Sequence, residues 1–580
     1  MQIGRRGRVW CVVAFVFFGL LAHKLWSIQV AQHQEYRAEA EKIQARKRPI
    51  RAPRGNIYDR NGNPLALNLK VYSVAADPTL VDRPSERAGQ LQPILKIPED
   101  QLDSKLLSGE GVRYVHLRDS VDTRVADAVR GLDCDGMIVT TEWQRAYPQR
   151  RLAAAVLGFM GKDMKGLGGI EAALNDKLAG VDGEMLVFLD GRLPRSRSQI
   201  PGRTVITKQM QPGSSVQLTI DADIQAFAEE ELAAAVESAQ ALGGAAIVMD
   251  PANGDVLALA SYPGFDPNEF QDYPRETWVS SAVVSPYEPG STFKAIAACA
   301  AIEEGVMSHG ETLVCDGAYE IGGHTVRCAP HGGSRAHGVV DLDRMVVESC
   351  NIGIGRLTLA LGADRMYEWA KRFGIGEKTG IELMGESRGI LSPPEGWSQI
   401  QVATVGFGQG VSVTPLQLLS AYCAIANGGW RVSPRVVSKF AHPTGRAEQQ
   451  SRPAPVRILS PATCDRMREL LVDVIEEGTG KAARIPGRRV AGKTGTAQKP
   501  TPGEGFRAGK YIASFVGFAP ADKPRVAVLV VIDEPQNGHY GGVVAAPAFR
   551  AICERSLTHL CVPPDEAPVR HEIALAGGRG

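Results

Sequence analysis

At 580 residues the chain is too long for one hydrophobic core and implies about three or four structural units. Its 65 Lys and Arg stand against 64 Asp and Glu, a net charge of +1. That balance excludes the global basic field of a nucleic-acid binder and the bias expected of a protein acting on acidic substrates. Ten cysteines in a chain of this length exclude a disulfide scaffold.

In chain order, residues 9–22 (VWCVVAFVFFGLLA) are unbroken apolar sequence, and apolar character resumes after His23 and Lys24 with Leu25, Trp26 and Ile28. Together they reach the length of about 20 residues that a bilayer core requires. Arg5, Arg6 and Arg8 precede the span and favour an N-terminus on the cytoplasmic side, against Arg46, Lys47, Arg48 and Arg51 beyond it. The pattern predicts a tail over 1–8, a membrane helix over 9–28 and a helical juxtamembrane stalk over 29–48, with the bulk of the chain periplasmic or extracellular and a single pass through the cytoplasmic (inner) membrane. A cleaved signal peptide is the alternative, but no small-x-small site follows the apolar run.

Residues 49–215 mix short strand and helix signals with Gly and Pro punctuation and read as an irregular α+β module, ending in a polar connector over 202–215. After it the pattern sharpens. Residues 222–240 predict a long helix, 245–249 and 256–261 a hairpin around Asn253-Gly254, and 512–518 with 526–532 two closing strands. Helical stretches fill 291–304, parts of 341–374, 414–427 and 460–477. Strands at both ends and helices between predict one antiparallel sheet with helices inserted, an α+β domain over 216–562 followed by a tail over 563–580.

Three short motifs carry chemistry. In "YEPGSTFKA" (287–295), Ser291 and Lys294 lie one helical turn apart, beside Ala297, Ala298 and Ala301 on the same face. Apolar neighbours would partly desolvate Lys294, lower its pKa and let it act as a base. The plain alternative makes Ser291 or Thr292 a helix N-cap. Ser349 and Asn351 flank Cys350 in "VVESCNIGIGRL", at a break between helical pieces, where a capping Ser or Asn is the alternative. Lys493, Thr494, Gly495 and Thr496 sit in "VAGKTGTAQK", where the glycine admits close approach and the lysine and threonines can clamp a carboxylate. Lys378-Thr379-Gly380 repeats the tripeptide, but in a Gly-rich turn with no hairpin after it.

Cys315 and Cys328 bracket a Gly-rich segment and would be free to pair outside the cytoplasm or to remain buried thiols. No Cys/His group has zinc-ligand spacing, and His324, His331 and His337 read as loop residues; no metal and no cofactor is expected. Cys350 has no basic neighbour in sequence, so no reactive thiol is expected there.

Ser-x-x-Lys, Ser-x-Asn and Lys-Thr-Gly in this order are the set of penicillin-binding proteins and class A β-lactamases. With "RGNIYDRNGNPLA" (54–66), "RAYP" (145–148), "GLGGIEAALNDKLAG" (166–180) and "VTPLQLLSAYCAIANGG" (413–429), the chain resembles the class B penicillin-binding proteins over nearly its whole length. "YEPGSTFK" and "KTGTAQK" are most similar to the septal, FtsI-type branch, with the elongation branch the near alternative and a catalytically weak cell-wall scaffold the other. The resemblance implies a peptidoglycan DD-transpeptidase that β-lactams inhibit. It implies Ser291 as nucleophile, Lys294 as its base, Ser349 as proton relay, Asn351 as a donor-peptide contact, and Lys493, Thr494, Gly495 and Thr496 as the wall that holds the donor carboxylate. It further implies a non-catalytic, dimerisation-type pedestal over 49–215, D-Ala-D-Ala stem peptides and an amine acceptor as substrates, and an FtsW-like SEDS-family glycosyltransferase with other divisome membrane proteins as partners.

Overall fold

The computed structural model describes residues 4–36, 45–108, 112, 114–161, 163–189, 199–308, 310–329, 334–501 and 505–565. His331 and most of the expected C-terminal tail lie outside them. The chain divides into two compact units: Met1–Arg54, Asn68–Gln144 and Ala179–Gly213 form one, and Gly55–Leu67, Arg145–Leu178 and Ser214–Gly580 the other. Two segments N-terminal to residue 215 thus fold with the larger unit.

In the smaller unit, helix α1 (Arg5–Trp26) is followed by a π-helical turn at Ser27–Ala31. The apolar stretch Arg6–Ala31 is 26 residues, long enough to cross a bilayer. The helix expected to continue to residue 48 does not. Ala45–Ile50 is a strand at the edge of a three-stranded antiparallel sheet with Gly183–Leu189 and Gln199–Lys208. Pro49 cannot donate within a helix but is tolerated on a sheet edge. The connector expected over 202–215 likewise begins as strand, because Thr204, Val205, Ile206 and Thr207 are a β-branched run that favours pairing. A separate core collects Val74, Leu91, Leu95, Leu102, Leu106, Leu117 and Val129 from the strands and helices of residues 68–131.

After residue 214 the larger unit continues with α2 (Ala222–Ser238), β1 (Gly243–Met249) and β2 (Val256–Tyr262). Its helical middle holds α3 (Lys294–Glu303), α4 (Leu342–Val347), α5 (Asn351–Leu361), α6 (Pro415–Ala426) and α7 (Pro461–Glu476). It closes with β3 (Ala491–Thr501), β4 (Gly505–Ala519), β5 (Val526–Asp533) and α8 (Ala546–His559). The strands form a five-stranded antiparallel sheet in the order β2-β1-β5-β4-β3, so both ends of the unit build one sheet around a helical insertion, as the sequence pattern predicts.

The sheet is covered on both faces. Val526, Val528, Val530 and Ile532 of β5 pack with Ile224, Ala228 and Leu232 of α2 and Phe549 and Ile552 of α8. Ala527, Leu529 and Val531 belong to the core on the other face, with α3, α5 and α6. A strand buried on both sides must be apolar at every position, which is why β5 reads as an unbroken apolar run. Helix α6 is buried along its whole length, and starts at a capping box in which Thr414 Oγ1 accepts from the Gln417 N–H and Gln417 Oε1 accepts from the Thr414 N–H.

The two N-terminal segments that join this unit meet in a buried ion pair. Arg145 of "RAYP" donates to Glu171 Oε1 at 2.6 Å and to the Gly55 carbonyl at 2.8 Å, and both charged side chains are almost wholly buried. Gly55 belongs to "RGN" and Glu171 to "GLGGIEAALN", so three separated motifs serve one charge-assisted contact.

Candidate active site

The Pro-Gly pair before Ser291 makes a tight turn. Gly290 has φ +55°, and its N–H donates to the Gly408 carbonyl at 3.0 Å. Residues Gly290–Phe293 form a 3-10 turn, and α3 proper begins only at Lys294. Neither start has a side-chain cap, so Ser291 caps nothing, and Thr292 Oγ1 donates instead to the Pro289 carbonyl at 2.7 Å. Tyr422 of α6 fixes this turn from below, its hydroxyl donating to the Thr292 carbonyl at 2.7 Å. Ser291 is left half-buried with its hydroxyl free of any cap duty.

Lys294 is fully buried, in a helix whose residues from 294 to 301 are all buried. Burial pushes its amine down to about 8, opposed in part by the Cys350 and Cys328 sulfurs nearby. Its Nζ donates to the Ser349 carbonyl at 2.5 Å, to Ser349 Oγ at 3.1 Å and to Asn351 Oδ1 at 2.6 Å. These three bonds use every proton of an ammonium, and among the described residues none goes to Ser291 Oγ.

The second motif lies at the junction of α4 and α5. Ser349 has φ +58°, a left-handed conformation rare outside glycine, which turns the chain sharply between the helices. The cap of α5 is neither Ser349 nor Asn351. Cys350 Sγ accepts from the Gly353 N–H at 3.2 Å, which frees the side chains on either side of it to meet Lys294. Asn351 Nδ2 also donates to the Arg327 carbonyl at 2.9 Å.

The third motif lies on edge strand β3, where Lys493, Thr494, Gly495 and Thr496 pair with Val516, Phe515, Ser514 and Ala513 of β4. A Cβ on Gly495 would lie 2.3 Å from Ser514 Oγ, 2.9 Å from Thr292 Cγ2 and 3.1 Å from the Pro289 carbonyl oxygen. The strand thus needs glycine there for the Ser291 turn to rest against it. Lys493 is fully buried, and its Nζ has no hydrogen-bond partner among the described residues. Burial and the neighbouring Lys294 charge hold its amine well below the ordinary lysine range. Thr494 Oγ1 pairs with Thr479 Oγ1 at 2.9 Å, and Thr496 Oγ1 accepts from the Gly541 N–H at 3.0 Å. Thr479 and Gly541 carry no motif of their own in sequence.

The repeated tripeptide at 378–380 has a different job. Glu386 accepts from the Thr379 N–H at 2.6 Å, from Thr379 Oγ1 at 2.5 Å and from the Gly380 N–H at 3.2 Å, which closes a turn and leaves Lys378 exposed.

Cysteine and histidine spacing gave no metal signature, yet Cys315, Cys328, His337 and Cys350 converge directly behind the second motif, with their ligand atoms all within 4.8 Å of one another. Linear spacing missed it because the four come from the ends of two separate β-ribbons and a helix cap. The Cys315 and Cys328 sulfurs lie 3.7 Å apart and are not bonded, and His324 lies exposed on a strand rather than in a loop.

The chain matches the penicillin binding protein transpeptidase domain over residues 244–554 and the penicillin-binding protein dimerisation domain over residues 49–218. It is 34% identical over 567 residues to stage V sporulation protein D of Bacillus subtilis (strain 168), covering 96% of this chain and 86% of that protein. It is 32% identical over 580 residues to peptidoglycan D,D-transpeptidase FtsI of Escherichia coli (strain K12), covering 98% and 94%. The solved structure of penicillin binding protein 3 from Mycobacterium tuberculosis, complexed with ampicillin, is similar with a TM-score of 0.70 at 30% identity, over 90% of this chain and 98% of that one. Matched in both domains and along nearly its full length, the chain belongs to the class B penicillin-binding proteins.

Proposed function

We propose that the protein is a serine D-Ala-D-Ala transpeptidase that cross-links peptidoglycan stem peptides at the division septum. One observation carries the reading. A buried amine that burial lowers to about 8, oriented by hydrogen bonds to Ser349 and Asn351, stands one turn from Ser291, and a second buried amine, Lys493, has no hydrogen-bond partner among the described residues.

In this reading Ser291 Oγ attacks the penultimate D-Ala carbonyl carbon, and neutral Lys294 takes the hydroxyl proton. With a pKa of about 8, roughly a tenth of Lys294 is neutral at pH 7, against about one part in several thousand for an exposed lysine. The oxyanion that forms is met by the N–H groups of Ser291 and Thr496. The C–N bond then breaks, and the departing D-Ala amine receives a proton from Ser349 Oγ, which Lys294 refills along their 3.1 Å hydrogen bond. An acceptor amine attacks the acyl-enzyme by the same path in reverse. The donor's terminal carboxylate lies against Lys493, Thr494 and Thr496, where it supplies the negative charge that buried Lys493 lacks.

β-Lactams carry the same carboxylate and acylate Ser291. Residues 352–490 contain no Glu-x-x-x-Asn to activate a deacylating water, so the adduct persists. The N-terminal helix anchors the protein in the cytoplasmic membrane as a single pass, N-terminus inside, with residues 49–215 as a non-catalytic pedestal. Glycan strands come from an FtsW-like SEDS-family partner. Fluorescent penicillin tests the reading: wild-type protein labels covalently and Ser291→Ala does not. Labelling that survives the substitution overturns it.

A further inference from the structure

We infer that Cys315, Cys328, His337 and Cys350 form a Cys3His zinc site that holds the turn carrying Ser349 and Asn351. Cys328 Sγ lies 3.7 Å from Cys315 Sγ and 3.7 Å from Cys350 Sγ, and Cys315 Sγ lies 3.3 Å from His337 Nδ1. A zinc ion bonded to sulfur at about 2.3 Å in a tetrahedron separates its sulfurs by about 3.8 Å. The observed separations are therefore close to the edges of a zinc ligand sphere. They are far from the sulfur-sulfur bond of about 2.0 Å that a disulfide requires, and Cys328 is equidistant from two candidate partners.

The surroundings fit a structural metal. The three cysteines are almost completely buried and His337 is half-buried, so the set is closed and soft, which favours zinc over magnesium or calcium. The ligands end elements too small to hold themselves. Cys315 closes strand Leu313–Cys315 and His337 precedes its partner Gly338–Val340, while Cys328 follows the ribbon of Ala318–Ile321 and His324–Arg327. Two-stranded ribbons of three and four residues are marginal alone, and a metal joining their ends supplies the missing constraint. Hydrogen bonds to backbone carbonyls hold the ligand loops in place: His337 N–H donates to the Cys315 carbonyl at 3.1 Å, and Arg335 Nη1 to the Cys328 carbonyl at 2.7 Å. Loading exchanges up to three thiol protons for one ion, with no change of oxidation state.

The site reaches the second motif in two ways. Cys350 is the residue between Ser349 and Asn351. Arg327, next to Cys328, offers its carbonyl to Asn351 Nδ2, and Asn351 Oδ1 in turn accepts from Lys294. Zinc binding at Cys328 and Cys350 thus clamps both ends of the link that orients Lys294.

Full-length protein is purified in detergent under reducing conditions, dialysed with equimolar zinc, washed with a weak chelator and assayed by elemental mass spectrometry. We expect about one zinc per chain in wild type and in the control Cys464→Ser, a buried cysteine of α7 outside the cluster, and at least a tenfold loss in Cys328→Ser and His337→Ala. Cobalt in place of zinc should give the intense visible bands of a tetrahedral thiolate site in the wild type, a readout that needs no variant to fold. Labelling by fluorescent penicillin should slow more than tenfold in Cys328→Ser. A wild type that retains no zinc, a Cys328→Ser that retains as much, or a zinc-free protein with a Cys315–Cys328 or Cys328–Cys350 disulfide overturns the site. Unchanged labelling in a zinc-free variant overturns its positioning role. Metal content is read without Ser291, so its failure is separable from failure of the transpeptidase reading.

Discussion

Asn351 holds Lys294 at 2.6 Å through its carbonyl oxygen, while its amide nitrogen is tied to the backbone of a neighbouring ribbon. The base of the proposed reaction is thus oriented by a neutral acceptor rather than by a carboxylate. A carboxylate there would stabilise the ammonium and spoil the base.

That choice predicts the behaviour of Asn351→Asp. Neutral amine is the active form, so in the wild type the acylation rate should rise about tenfold per pH unit below 8 and level off above it. A carboxylate in contact with Lys294 raises its pKa, which moves the inflection up by about one to two units and lowers the rate at pH 7 at least tenfold. Stopped-flow acylation by a chromogenic cephalosporin across pH checks this. An inflection that stays put or falls sinks the idea.

In the proposed reaction Lys493 trades stability for binding. It is buried with no acceptor among the described residues, so Lys493→Met should leave the melting temperature unchanged or raise it, by about 1–3 kcal/mol of stability, while acylation falls about a hundredfold or more. Its folded pKa lies below the model-peptide value of 10.5, so between the two the unfolded chain binds the extra proton. Stability therefore rises with pH across that window in the wild type, and by less in the variant. Thermal unfolding between pH 7 and pH 10 measures both.

Gly495→Ala should separate the strand from the nucleophile turn. The new methyl meets Ser514 Oγ at 2.3 Å and Thr292 Cγ2 at 2.9 Å, contacts that something must relieve by moving. We expect a loss of about 1–3 kcal/mol in stability and a fall in acylation of at least a hundredfold. A variant that labels at the wild-type rate would show that the turn does not rest where we place it.

Glu171→Ala tests the distant ion pair. It removes the buried 2.6 Å ion pair to Arg145, which costs about 3–5 kcal/mol. Denaturant unfolding should show the loss even though residue 171 lies in a segment matched to the dimerisation domain and contributes nothing to the proposed chemistry.

Much of the site is legible from residue order, because each motif is local. A serine and lysine one turn apart on an Ala-rich helix, or a glycine between threonines before a hairpin, constrain geometry within a few residues. The decoy at 378–380 could be rejected from its turn context, and Glu386 supplies the reason in three dimensions. Other features were not legible. Only coordinates could reveal that Cys350 rather than Ser349 caps α5, since serine and asparagine are the ordinary cap residues and cysteine is not. Pairing partners also decided that Ala45–Ile50 and Gln199–Lys208 become strands, overriding the helical and connector signals of their composition.

By itself the sequence determined the apolar N-terminal span, the antiparallel sheet built from both ends of the larger unit, and the three motifs from which the site is proposed. These follow from periodicity and from short spacings that a helix or strand converts directly into shared faces. Tertiary structure decided what those spacings cannot encode. It brings the Gly55 carbonyl to the Arg145–Glu171 ion pair, leaves Lys493 without a hydrogen-bond partner among the described residues, and gathers Cys315, Cys328, His337 and Cys350 within 4.8 Å of one another. Burial and long-range contact are properties of the packed chain, and so are the pKa values of both lysines, because water is excluded only once distant segments close over them.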